Sequence, residues 1–196
     1  MDEIDISLVI PLHNEEESLP FLVNEISDTM ASHKNYEIIF IDDGSTDGSL
    51  STLIHLKEKY PRIRIIKLKD RYGQTSAMDA GFKKAKGRII VTMDADLQND
   101  PADIDKLLSE LNWYDIVIGW RSERKDTWLK RLSSRIANFV RNRITDDEIK
   151  DVGCTLKAYK REFLDRVKLY NGMHRFLPRL FKMEGARVKE VKVNHR

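Results

Sequence analysis

Within the first 120 residues, five short apolar, β-branched runs alternate with four segments of helical period. The runs fall at residues 6–11, 36–41, 63–68, 88–93 and 115–119, and the helical patterns at 15–31, 47–60, 74–86 and 101–111. Strands alternating with helices of this length build repeated βαβ units, so the expected architecture is α/β, with a mainly parallel sheet flanked by helices. Local signals support the boundaries. Asp100 before Pro101 reads as a cap ahead of a proline in the first helical turn, Ser45 or Asp47 can cap the second helix, and Gly87 is placed to close the third.

A chain of 196 residues, 41% hydrophobic and 34% charged, can bury a substantial core as one domain. Its single cysteine, Cys154, excludes an internal disulfide and a cysteine-built zinc site. No apolar stretch approaches the roughly 20 residues of a membrane-spanning helix, and the acidic start Met1-Asp-Glu3 lacks the order of a secretion signal. The expectation is a cytoplasmic protein. Charge is unevenly spread: residues 1–120 hold 13 Lys+Arg against 22 Asp+Glu (net −9), and residues 121–196 hold 21 against 10 (net +11). The halves either meet different ligands or carry ordinary solvated charge. In the second half, residues 127–144 read as a basic amphipathic helix, with a short strand near 155–159 and an alternating strand through Val188, Val191 and Val193. The apolar stripe of that helix can pack as core or lie in an anionic membrane surface.

Ligands of an open parallel sheet bind outside the carboxyl ends of its strands. Here strand one ends in Pro11-Leu-His-Asn-Glu15, strand two in Asp42-Asp-Gly-Ser45, strand four in Asp94-Ala-Asp-Leu-Gln98 and strand five in Gly119-Trp-Arg121. Four strand ends thus bring polar groups to one edge. Asp94 and Asp96, two apart on extended chain, leave on the same side and repel unless a cation lies between them. Mg²⁺ or Mn²⁺ meets that need with one or two carboxylates, waters and diphosphate oxygens, and Gln98 can add a neutral ligand. The segment 42–48 reads as a strand-to-helix turn, as a seat for a base or ribose with Gly44 allowing close approach, or as both. No P-loop or Gly-x-Gly-x-x-Gly motif occurs.

Four segments, Val9-Ile-Pro-Leu-His-Asn-Glu15, Ile41-Asp-Asp-Gly-Ser-Thr-Asp-Gly48, Gly81 with Ala85-Lys-Gly87, and Met93-Asp-Ala-Asp-Leu-Gln98, resemble glycosyltransferase family 2 of the Rossmann-like GT-A fold. Within it the chain is similar to the polyprenyl-phosphate branch, the dolichol-phosphate mannosyltransferases and their bacterial undecaprenyl-phosphate relatives. Asp151-Val-Gly-Cys-Thr-Leu-Lys157 and His174-Arg-Phe-Leu-Pro178 are also similar to segments of that branch. The resemblance implies one catalytic domain over 1–196, with a donor and metal part at 1–120 and an acceptor part at 121–196. Residues matching Pro11, His13, Glu15, Asp42, Asp43, Gln74 and Asp94 would hold the nucleotide-sugar, and Asp94, Asp96 and Gln98 the Mg²⁺ or Mn²⁺. Arg121, Arg131 and Ser134, with Arg135, would grip the acceptor phosphate; Asp94, Asp96, Arg121, Arg131 and Ser134 form the catalytic set.

The implied reaction is an inverting transfer from GDP-mannose or a UDP-hexose to a dolichyl or undecaprenyl phosphate at the cytoplasmic face of a membrane. A phosphate acceptor is already an anion and needs positioning more than deprotonation. Relatives usually continue beyond a segment like 191–196, which implies a full-length protein with a closing loop or membrane anchor. Two alternatives stand beside this reading: the same fold acting on a polysaccharide or glycan hydroxyl, and a basic nucleic-acid-binding module. The second leaves the acidic edge unused, so no nucleic-acid partner is expected.

Overall fold

A computed structural model describes residues 3–121, 149–166, 169 and 172–196. The expected amphipathic helix at 127–144 lies outside the described residues, and with it Arg131, Ser134 and Arg135.

Strands β1 (Ile6–Leu12) and β2 (Tyr36–Asp42) are buried at every position, because their near-continuous apolar runs are covered on both faces. With β3 (Ile63–Lys67), β4 (Ile89–Thr92), β5 (Ile116–Arg121), β6 (Lys157–Lys160) and β7 (Val188–Val193) they form a sheet ordered β3-β2-β1-β4-β6-β5-β7. β1 pairs in parallel with β2 and β4, β2 with β3, and β5 with β7. Only β6, inserted between β4 and β5, is antiparallel to its neighbours. Six of these strands therefore point their carboxyl ends to one edge, and β6 presents its amino end there.

Helices α1 (Leu19–Thr29), α2 (Ser49–Lys59) and α4 (Ile104–Glu110) cover one face. Leu19, Leu22, Val23 and Ile26 of α1 recur on one side of that helix and join Leu8, Ile10, Leu53, Ile104 and Leu107 in a core. On the other face lie α3 (Gln74–Lys84), α5 (Arg161–Leu164) and α6 (Leu177–Met183), where Ala77, Phe163, Leu177 and Phe181 pack on Val9, Ile41, Ile118 and Tyr159. Tyr159 meets Phe82 and Phe181 edge to face.

Three boundaries depart from the sequence reading. α1 begins at Leu19 rather than 15, because residues 15–18 form a turn tied to the loop after β2. The fourth helical segment opens as a 3-10 turn at Pro101–Asp103, with Asp100 capping Ala102 N–H as expected. Gly87 does not cap α3, which ends at Ala85 in extended conformation. Its N–H donates to the buried Ser7 hydroxyl (2.8 Å), and a Cβ at Gly87 would lie 2.5 Å from Ser7 N. The glycine is there for contact between segments 80 residues apart.

Gly81 lets α3 sit flush on the sheet: a Cβ would collide with the Val9 side chain and reach 2.8 Å from Ile41 Cδ1. Gly81→Ala is expected to destabilise by about 1–3 kcal/mol through overpacking, against its higher helix propensity. Urea unfolding checks this; unchanged or greater stability would show that α3 shifts freely.

Candidate donor site at the carboxyl edge of the sheet

The loops after β1 and β2 are fastened to each other. Asn14, in the left-handed region (φ 59°), donates its N–H to Ser45 Oγ (3.0 Å) and accepts Thr46 N–H (2.8 Å). Glu15 N–H donates to Ser49 Oγ (2.8 Å), and Glu16 receives Gly48 N–H (2.9 Å). Ser45, a candidate helix cap, serves this junction instead, whereas Asp47 does accept Ser49 N–H at the start of α2. His13 Nδ1 lies 3.0 Å from Asp43 O.

Asp43 fastens a third loop. Its two carboxylate oxygens receive Tyr72 N–H (2.7 Å) and Gly73 N–H (2.8 Å). Gly44 (φ 69°) passes beneath that loop, and a Cβ there would stand 2.8 Å from Arg71 N and Asp70 C. Gly44 thus allows a close approach of the chain's own 70–71 backbone. Gly44→Ala should cost about 2 kcal/mol from strain and collision, and weaken nucleoside-diphosphate binding as the 71–73 loop is displaced. Calorimetric titration checks the second effect; undiminished affinity would detach that loop from the site.

These loops and the turn after β4 enclose a cleft lined by Pro11, Leu12, His13, Glu15, Asp43, Arg71, Gly73, Gln74, Asp94, Ala95 and Asp96. Seven of the residues chosen from sequence line it together: Pro11, His13, Glu15, Asp43, Gln74, Asp94 and Asp96. Asp42 does not. It is fully buried behind the wall, where one oxygen accepts Ser45 N–H (2.9 Å) and the other has no partner among the described residues. Gln98 is exposed outside the cleft lining, and its carbonyl accepts Arg196 N–H (3.2 Å).

Gln74 Nε2 donates to Asp94 Oδ1 (2.7 Å), and Asp96 Oδ1 receives Gln98 N–H (3.1 Å) across a turn that holds Leu97 at φ 63°. Burial pushes the Asp94 carboxyl up to about 6, reinforced by the Asp96 charge and opposed by Thr155, Lys157 and Arg121. Two carboxylates lining one cleft, one of them disfavoured in its charged form, suit a divalent cation completed by water and diphosphate oxygens. Among the described residues no group of three His, Cys, Asp or Glu side chains could hold a metal by itself.

Arg121 ends β5 at the same edge, but its fork is engaged. Nε and Nη2 donate to the two Asp151 oxygens (2.7 and 2.9 Å), and both side chains are 9% exposed. The sequence reading therefore missed Asp151, which holds Arg121 in place. It also assigned no role to Lys157, Thr155 or His174, which line a small pocket with Asp94 beside the cleft. The signal was a lysine in register with Tyr159 on a buried strand. Burial lowers the Lys157 ammonium to about 8 and, with Arg175 and Lys157 nearby, the His174 imidazole to about 4.

A family model described as Glycosyl transferase family 2 matches residues 7–168. The dodecaprenyl-phosphate galacturonate synthase of Rhizobium johnstonii is 40% identical over 205 aligned positions that cover all of this chain; the chain spans 60% of that protein's length. Among solved structures, a mannosyltransferase from Pyrobaculum calidifontis in complex with GDP-Man and Mn²⁺ superposes with a TM-score of 0.74 at 19% identity, over 98% of this chain and 56% of its own. Glucosyl-3-phosphoglycerate synthase from Mycobacterium tuberculosis gives 0.77 at 20% identity, over 98% and 73%. At these identities the structural likeness is one of fold.

Proposed function

The chain belongs to glycosyltransferase family 2 and has the GT-A fold, and from that premise we propose that it moves a hexose from a nucleotide-sugar, GDP-mannose or a UDP-hexose, to a polyprenyl phosphate, with inversion. The observation that carries this reading is the cleft in which Asp94 and Asp96 face the three fastened loops after β1, β2 and β3. The likeness to a dodecaprenyl-phosphate synthase supports the lipid-phosphate acceptor.

In this reading Pro11, His13 and Asp43 form the seat of the base and ribose: His13 offers a ring face, and Asp43 keeps the Tyr72–Gly73 backbone in position. Glu15 borders the same seat. Asp94 and Asp96 would hold Mg²⁺ or Mn²⁺, which would supply positive charge to the departing nucleoside diphosphate, whereas Gln98, outside the cleft lining, touches the pair only through its N–H to Asp96. Gln74 aims the Asp94 carboxylate by hydrogen bonding one of its oxygens. Arg121, oriented by Asp151, stands on the acceptor side; the resemblance adds Arg131, Ser134 and Arg135, outside the described residues, to the grip on the lipid phosphate. The phosphate oxygen attacks the anomeric carbon as the bond to the diphosphate breaks, so the chain need only align the two substrates. No described helix is long and apolar enough to cross a membrane; the acceptor is met at a membrane surface by the basic residues after 121.

A thermal-shift panel of GDP- and UDP-sugars with and without Mn²⁺ tests the donor half. A bound donor at a hundredfold excess over Kd adds about 2.7 kcal/mol. No stabilisation by any nucleotide refutes the donor site. Efficient transfer to a simple sugar hydroxyl, with none to a polyprenyl phosphate, refutes the acceptor.

A further inference from the structure

The turn that carries Asp94 and Asp96 leaves β4 at Thr92 and comes back to the sheet at Asn99, and one residue outside it holds both feet. The Thr155 carbonyl accepts the Thr92 hydroxyl (2.8 Å), and the Thr155 hydroxyl donates to Asn99 Oδ1 (2.8 Å). The same Asn99 oxygen accepts Asp94 N–H (3.2 Å). A backbone N–H can only donate, which fixes the Asn99 amide with its oxygen inward and makes Thr155 the donor of the pair.

Thr92 and Asn99 are 1% and 3% exposed, so each depends on the protein for its hydrogen-bond partner. Thr155 reaches both because β6 is reversed: it stands two residues ahead of that strand, at the edge where β4 ends. Its hydroxyl also lies against the Asp94 carboxyl and favours the ionised form, the one a cation takes up. Inside the turn the tie is local, Gln98 N–H to Asp96 with Leu97 at φ 63°, and it sets the turn's shape rather than its place. On the outer side the turn meets backbone, through the Asn99–His195 bridge and Arg196 N–H on Gln98 O. Thr155 is the side chain that fastens it to the sheet.

We propose that Thr155 is a positioning residue for the divalent cation: by pinning both feet of the turn it aims Asp94 and Asp96 into the cleft together. This rests on the metal reading of Asp94 and Asp96 above and deepens it. A ligating carboxylate must point correctly to bind, and losing a hydrogen bond that orients one weakens metal affinity by roughly 10–100-fold. The stretch that brings Thr155 starts at Asp151, which holds Arg121. One short segment thus orients both the metal turn and the acceptor-side arginine.

The test separates the hydroxyl from the shape. Thr155→Val keeps the shape and removes the hydroxyl, whereas Thr155→Ser keeps the hydroxyl and removes the methyl group. Both are compared with wild type by calorimetric titration of Mn²⁺ in the presence of UDP or GDP. Thr155→Val is expected to weaken Mn²⁺ binding by roughly 10–100-fold, and Thr155→Ser to stay close to wild type. A threonine that only fills space gives the opposite order, since the serine variant loses packing and the valine variant does not. Wild-type Mn²⁺ affinity in Thr155→Val, or an equal loss in Thr155→Ser, overturns the assignment. If Thr155→Val does not fold, Thr92→Val, which frees the other foot at a strand position that suits valine, decides in its place; undiminished Mn²⁺ affinity there overturns it. A wild-type Mn²⁺ response that survives in the variants sinks this proposal and leaves the metal reading standing. No Mn²⁺ uptake by wild type with either nucleotide sinks both.

Discussion

Asp94→Asn is expected to lower transfer by on the order of 10³-fold, the scale of removing a main electrostatic contact from a reacting charge, and yet to make the ligand-free protein more stable. Burial, first of all, pushes the Asp94 carboxyl up to about 6 in the fold, against an ordinary value of 3.8. A raised carboxyl value means that the fold disfavours the ionised form. Its stabilising contribution is complete below pH 3.8 and is lost as pH rises through 6. Asparagine escapes that loss and retains the shape that Gln74 contacts. The melting temperature of Asp94→Asn should match wild type near pH 4 and exceed it by a few degrees at pH 7.5, about 1–2 kcal/mol. Adding Mn²⁺ with a nucleoside diphosphate should reverse the order, because only the carboxylate gains from the cation. Melts at three pH values with and without ligand check all of this. A variant less stable than wild type at pH 7.5 without ligand would show that Asp94 is structural.

The second large effect is expected at Asp151. Asp151→Ala leaves the Arg121 guanidinium buried without its bidentate partner, at a cost of about 3–5 kcal/mol, and also removes an acceptor from Arg121 N–H (3.2 Å). Replacing both charges, as in Arg121→Met with Asp151→Leu, should recover most of that stability, since the pair is largely withdrawn from water. Transfer should not recover. The double variant is expected to bind nucleotide with wild-type affinity while its transfer rate to a lipid phosphate stays at least tenfold down, about 1.4 kcal/mol in the barrier. Chemical unfolding and nucleotide titration of the three variants supply the cycle. Full activity in the stable double variant would remove Arg121 from the acceptor side.

The sheet was legible because β1 and β2 are almost pure runs of Ile, Leu, Val and Phe, and α1 repeats its apolar residues at helical spacing. The cleft was legible because strand ends carry their polar residues to one edge whatever the details of packing. What escaped was non-local. Nothing local in Lys157-Ala-Tyr-Lys160 says that this strand runs backwards between β4 and β5, so Lys157 was not placed beside Asp94. Asp42 and Asp43 look interchangeable in sequence, yet one is sealed behind the wall and the other fastens the 72–73 backbone. Arg121 looked like a free phosphate grip because its partner lies 30 residues away. Gly87 was read as a helix end and Gly44 as part of a turn, a ligand seat or both; that each also meets distant backbone was not visible in the sequence.

The reversed strand also divides the molecule in a way that residue numbering hides. It separates a block of four parallel strands, β3-β2-β1-β4, from a block of two, β5-β7, and joins them by backbone hydrogen bonds that are indifferent to side-chain identity. One block carries the cleft residues Pro11, His13, Asp43 and Asp94 and the other carries Arg121, so a change in the side chains of one block leaves the backbone ladder of the other intact.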